Sequence, residues 1–133
     1  MGFKWQVPIG RKISIPFKRE IYNIGLTQII LESKHLNPLD VVHIGTQPHD
    51  TKSVIWLNDT KSLNCIKSFV VQCKKLDDIE TCVVEKQWVG RDIVYHKIDL
   101  SRQTLTFNID IYNKNGDSIN AIGYCVFDVR PNL

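Results

Sequence analysis

The chain has 133 residues, 43% hydrophobic and 23% charged, with a net charge of +3 and a pI near 8.7. That size and balance fit one domain with its own core and exclude whole-chain disorder. The excess charge is local: residues 1–20 hold five of the 17 basic residues and one of the 14 acidic ones, so the rest of the chain carries one net negative charge. A uniformly basic surface of the kind that coats nucleic acid is therefore not expected.

Residue choice favours strands. Ile, Val and Thr number 36, against 16 for Ala, Leu, Glu and Met together. β-Branched side chains lose rotamer freedom in helices and pack well on a pleated surface. Abundant Ile, Lys and Asn with a single alanine also fit an AT-rich genome, as in viruses, some parasites and some bacteria.

The first element alternates. Phe3, Trp5, Val7, Ile9, Ile13, Ile15 and Phe17 occupy odd positions, while Lys4, Gln6, Lys12, Ser14 and Lys18 occupy even ones. Extended, this segment is a ribbon with an apolar face and a basic face. Pro8 and Pro16 confine it to a sheet edge, because proline cannot donate to a ladder. The expected division is a basic N-terminal arm or edge ribbon over 1–20 and a β domain over 21–133.

Residues Ile24–Ser33 are apolar on both faces and fit a buried strand better than a short helix. Asn37-Pro38 breaks the run. Asp40–Ile44 and Val54–Leu57 read as short strands around a loop over 45–52, and Asp59–Cys65 as a polar connection with room for one helical turn. Ser68–Lys75 is a strand with Phe69, Val71 and Cys73 on one face, and Leu76-Asp77-Asp78 turns the chain. Thr81–Trp88 and Ile93–Ile98 follow, separated by a turn at Gly90-Arg91-Asp92. Thr104–Tyr112 directs Leu105, Phe107, Ile109 and Ile111 inward and Tyr112 outward. Asn115-Gly116 is a hairpin signal, and the returning strand Ile119–Val129 places Ala121, Gly123, Cys125, Phe127 and Val129 on one face. The sum is an all-β, single-domain antiparallel β-sandwich of the jelly-roll or another Greek-key type, with eight to ten short strands and at most one short helix.

Motifs for catalysis and cofactors are sparse. No P-loop, dinucleotide fingerprint or nucleophile elbow occurs, and no cofactor is expected. Cys65, Cys73, Cys82 and Cys125 show no C-x-x-C spacing and read as reduced thiols filling the core. His43, His49 and Asp50 make the densest polar cluster and supply the rival reading, a small hydrolase or metal-dependent enzyme on a β-sandwich. Asp77-Asp78 reads as a turn. Asn58-Asp59-Thr60 matches a glycosylation sequon, and Met1-Gly2 resembles a myristoylation start, although Gln6 stands where that pattern wants Ser or Thr. Neither a membrane-spanning run nor a signal-peptide core is present in the sequence, so a cytoplasmic or nuclear location is expected, or the host cell or virion for a viral protein.

The leading expectation is a non-enzymatic structural or accessory protein. Viral capsid, matrix and movement proteins often join a β-sandwich to a basic N-terminal arm, and this chain shares that architecture. It would self-associate and meet an anionic partner, nucleic acid or membrane surface, through Lys4, Arg11, Lys12, Lys18 and Arg19. Trp5 and Phe17 would anchor the ribbon.

Overall fold

The computed structural model describes residues 2–14, 18, 20–46, 66–73, 81–100 and 106–132. Among the described residues ten strands run in chain order: β1 (Phe3–Pro8), β2 (Lys12–Ser14), β3 (Ile21–Ser33), β4 (Val41–Gly45), β5 (Lys67–Val70), β6 (Cys82–Gln87), β7 (Tyr95–Asp99), β8 (Thr106–Asn108), β9 (Asp110–Asn113) and β10 (Ile122–Pro131). The one helical element among the described residues is a 3-10 turn at Gly90–Asp92. Every strand pair is antiparallel. The result is an all-β, sandwich-like fold.

The larger sheet has the order β1-β10-β3-β6, with β7 also paired to β3. β10 pairs β3 along its length, and the other edge of β3 is shared: Ile21–Gly25 meets β7 and Gln28–Ser33 meets β6. Two smaller sheets, β5-β4-β9 and β2-β8, complete the fold. The run 106–113 joins them, because β8 and β9 are separated by Ile109 alone. One apolar core lies between the sheets, with Val7, Ile24, Ile29, Leu31 and Phe127 from the large sheet and Val42, Ile44, Phe69 and Ile111 from the small one.

A bulge explains why β3 is apolar on both faces. Val126 sits opposite Gln28, and Phe127 sits opposite Leu26, so Thr27 has no partner on β10. An extra residue reverses the side-chain parity of a strand. Tyr22, Ile24 and Leu26 are buried before the bulge, and Ile29, Leu31 and Ser33 after it. Thr27 is tied down on both sides: its hydroxyl donates to the Val126 carbonyl (3.1 Å), and its own carbonyl accepts from the Trp88 amide (2.9 Å).

Three expectations need correction. The Asn115-Gly116 turn forms, with the Asn113 side-chain oxygen accepting from the amides of Asn115 (2.9 Å) and Asp117 (3.0 Å). The returning chain, however, pairs with β9 only around Ser118, then crosses at Asn120–Ala121 to become β10 of the other sheet. Tyr112 is buried rather than outward, and it hydrogen-bonds the Asp110 carboxylate on the same side of β9. Cys73 and Cys82, read as core thiols, form a disulfide, whereas Cys125 is a buried free thiol. Burial pushes the Cys125 thiol up to about 12, which keeps it protonated and inert. Val54–Leu57, Asp59–Cys65 and Asp77-Asp78 lie outside the described residues.

Candidate anion-binding corner

β1 is an edge strand of the large sheet, in register with β10 from Phe3 opposite Val129 to Pro8 opposite Tyr124. Two of its odd positions point inward: Val7 is buried, and half-buried Trp5 packs against Phe127 with ring centroids 5.9 Å apart, whereas Phe3 at the strand's start is exposed. The chain then turns at Ile9-Gly10-Arg11. The Ile9 amide donates to the Gly123 carbonyl (3.0 Å) and the Gly10 amide to the Ile109 carbonyl (2.9 Å), so the corner is fastened to both sheets. Gly10 takes φ +78°, a left-handed conformation that glycine adopts without strain.

The predicted cations fall into two groups. Lys4 lies on the outer face of β1, directly opposite Asp128 on β10. It sits at the far end of the strand, about 13 Å from Pro8 at the usual strand rise. Asp128 also accepts from the Tyr95 hydroxyl (2.6 Å) and from Arg130 Nε (2.7 Å), and the Arg130 guanidinium lies 5.2 Å from the Tyr95 ring centre. Burial works against the charged form of Asp128. The Tyr95 hydrogen bond and the Arg130 and Lys4 charges outweigh it and hold the carboxyl below its ordinary range. This end of the ribbon is charge-balanced.

Arg11, Lys12 and Lys18 are different. All three are exposed, and among the described residues none forms an ion pair. Lys12 stands opposite Asn108. An acid stands near the turn: Asp110 Oδ1 would lie 3.6 Å from a Cβ placed on Gly10. Partial burial raises the Asp110 carboxyl, and the Tyr112 hydroxyl donates to it. That same contact, with burial as the larger cause, lifts Tyr112 to about 12. Arg19 and Phe17 lie outside the described residues.

Two clefts open beside this corner, and neither was visible in the sequence. The first, of about 640 Å3, is lined by Gln6, Pro8 and Arg11 on one side and Asn120, Ile122 and Tyr124 on the other. The second, of about 210 Å3, shares Asn120–Ile122 and adds Ser33, Lys34, His35, Thr81 and the acid Glu32. A third, of about 440 Å3, lies on the outer face between Lys4 and the Trp88–Gly90 turn. Arg11 and Asn120 are far apart in the chain and meet only because β10 pairs β1, so no local motif announces the site.

Of the rival histidine site, His43 alone lies among the described residues. His43 Nδ1 hydrogen-bonds the Ser68 hydroxyl across β4 and β5, while His49 and Asp50 lie outside the described residues. Among the described residues no group of three His, Cys, Asp or Glu side chains has the arrangement to hold a metal ion. Elsewhere, burial lowers the His96 imidazole despite a hydrogen bond with the Ile66 backbone, and the Lys67 charge adds to that effect. No helix among the described residues is long and apolar enough to cross a membrane. Comparison with protein-family models, curated proteins and solved structures finds no match.

Proposed function

We propose that this chain is a non-catalytic structural or accessory binding protein, of the capsid, matrix or movement type found in viruses. It engages an anionic partner, nucleic acid or anionic membrane surface, through the cations of its first twenty residues. One observation carries the reading. Arg11, Lys12 and Lys18 are exposed and form no ion pair among the described residues, and the first two follow directly on a strand packed inward through Val7 and Ile9. Cations held on a rigid element lose little freedom when they meet an anion, and their fields are not cancelled beforehand.

Self-association belongs to the same proposal. β1 ends the large sheet, with no strand on its other side among the described residues. Such an edge pairs with a second copy unless lysine or proline guards it. Lys4 and Pro8 sit on that strand, which favours a controlled rather than an open-ended assembly.

The test is charge reversal. The variant Arg11→Glu/Lys12→Glu/Lys18→Glu is expected to lose binding to RNA, DNA and phosphatidylserine vesicles while keeping its melting temperature. Unchanged binding to all three would show that these cations are not the site. The expected cytoplasmic or nuclear location sits uneasily with the Cys73–Cys82 bridge, because disulfides persist chiefly in oxidising compartments. Alkylation after rapid acid quenching and denaturation of cells decides it: the location holds if Cys73 and Cys82 are both modified before any reductant is added and fails if they react only after reduction.

A further inference from the structure

We propose that the two clefts flanking Asn120–Ile122 form one track for a single-stranded nucleic acid, running from Arg11 to Lys34. This inference rests on the anion-binding reading of the corner and names its ligand. The clefts are contiguous, since Asn120, Ala121 and Ile122 line both. Cations stand at either end, Arg11 in the larger and Lys34 with His35 in the smaller, where Glu32 is the one acid. The wall of the larger cleft is apolar and aromatic: Ile122 is 73% exposed, and Tyr124, two residues on along β10, stands opposite Pro8.

This alternation suits one polymer. Phosphates need guanidinium or ammonium groups, and unpaired bases need a flat or apolar surface to stack on. Gln6 and Asn120 add amides that can donate to and accept from base edges. A duplex keeps its bases stacked inside and would leave Tyr124 unused. A bilayer meets protruding side chains and has no use for amides set in a cleft. The larger cleft, at about 640 Å3, falls within the range of pockets that enclose small ligands, so one nucleotide unit fits it.

The experiment is a fluorescence-anisotropy titration of the full chain with labelled oligo(dT), beside a sedimentation assay with phosphatidylserine vesicles. Tyr124→Ala is expected to weaken oligo(dT) binding at least about fivefold, the low end of one lost stacking contact. Tyr124→Phe, which keeps the ring, should bind as the wild type does. Lys34→Glu should weaken oligo(dT) binding and flatten its log–log salt dependence by about 0.7, one phosphate contact on a single strand. Vesicle binding should not change in any of the three. If the triple reversal of Arg11, Lys12 and Lys18 abolishes binding while Tyr124→Ala and Lys34→Glu match the wild type, the track is wrong and the corner reading stands. Equal affinity for duplex, or vesicle binding without oligonucleotide binding, also overturns the track. If the triple reversal itself changes nothing, the broader reading fails.

Discussion

The two ends of the N-terminal ribbon carry similar residues and meet different surroundings. Along β1 the inner side chains pack on Phe127, and the outer cation, Lys4, faces Asp128 in a cluster with Tyr95 and Arg130. At Gly10 the backbone is equally well fastened, but Arg11 and Lys12 just beyond it face solvent, as does Lys18. Alternation alone does not distinguish these ends. What does is the strand laid alongside: β10 brings an acid to Lys4, whereas β8 brings Asn108 to Lys12. A basic stretch thus divides into a structural part and a part free to act.

The sharpest way to break this contrast is to remove the packing under β1. Phe127→Ala should cost about 3–5 kcal/mol, as for other fully buried phenylalanines. Urea denaturation reads the loss, and amide exchange in β1 should accelerate with it. A smaller loss would mean that β1 is only loosely held. Next comes Gly123, where an added Cβ would lie 2.1 Å from the Ile30 carbonyl oxygen. Gly123→Ala should destabilise by about 2–3 kcal/mol, since backbone must move to relieve it. It should also loosen the corner, because the Gly123 carbonyl accepts from Ile9.

Asp128 supplies a pH-dependent test of the balanced end. Its carboxyl is depressed in the folded state, so its contribution is present above the unfolded value near 3.8 and is lost as pH falls through the lower folded value. Asp128→Asn should therefore lower stability at neutral pH and flatten the loss of stability below about pH 4, measured as urea midpoints from pH 2 to 6. The smallest effect belongs to the other end. Arg11→Glu, Lys12→Glu and Lys18→Glu should each change stability by no more than about 0.5 kcal/mol, the usual range for surface sites.

Much of the fold was legible because period-two patterning survives where strands are regular. Phe69 and Val71, and Cys125, Phe127 and Val129, fall on the inward faces that their alternation indicates. The failures have local causes. Thr27 reverses parity inside β3, so neither half shows a clean face over the whole run. The chain changes sheets at Asn120–Ala121 without proline or a glycine pair to mark the crossing. Tyr112 is buried on a polar partner, Asp110, which a hydrophobic pattern does not register. Cys73 and Cys82 meet through strand placement, and no spacing rule reveals that. The cations of the corner were legible by charge, but the clefts beside them were not, because long-range pairing creates them.

On the proposed reading, the exposed cations Arg11, Lys12 and Lys18 make the anion contacts. The most direct measurement is the salt dependence of oligo(dT) affinity for the wild type and for the Arg11, Lys12 and Lys18 triple reversal. Each phosphate contact on a single strand contributes about −0.7 to the log–log slope, so a flattening of about 2 is expected. Parallel lines with unchanged affinity would contradict it.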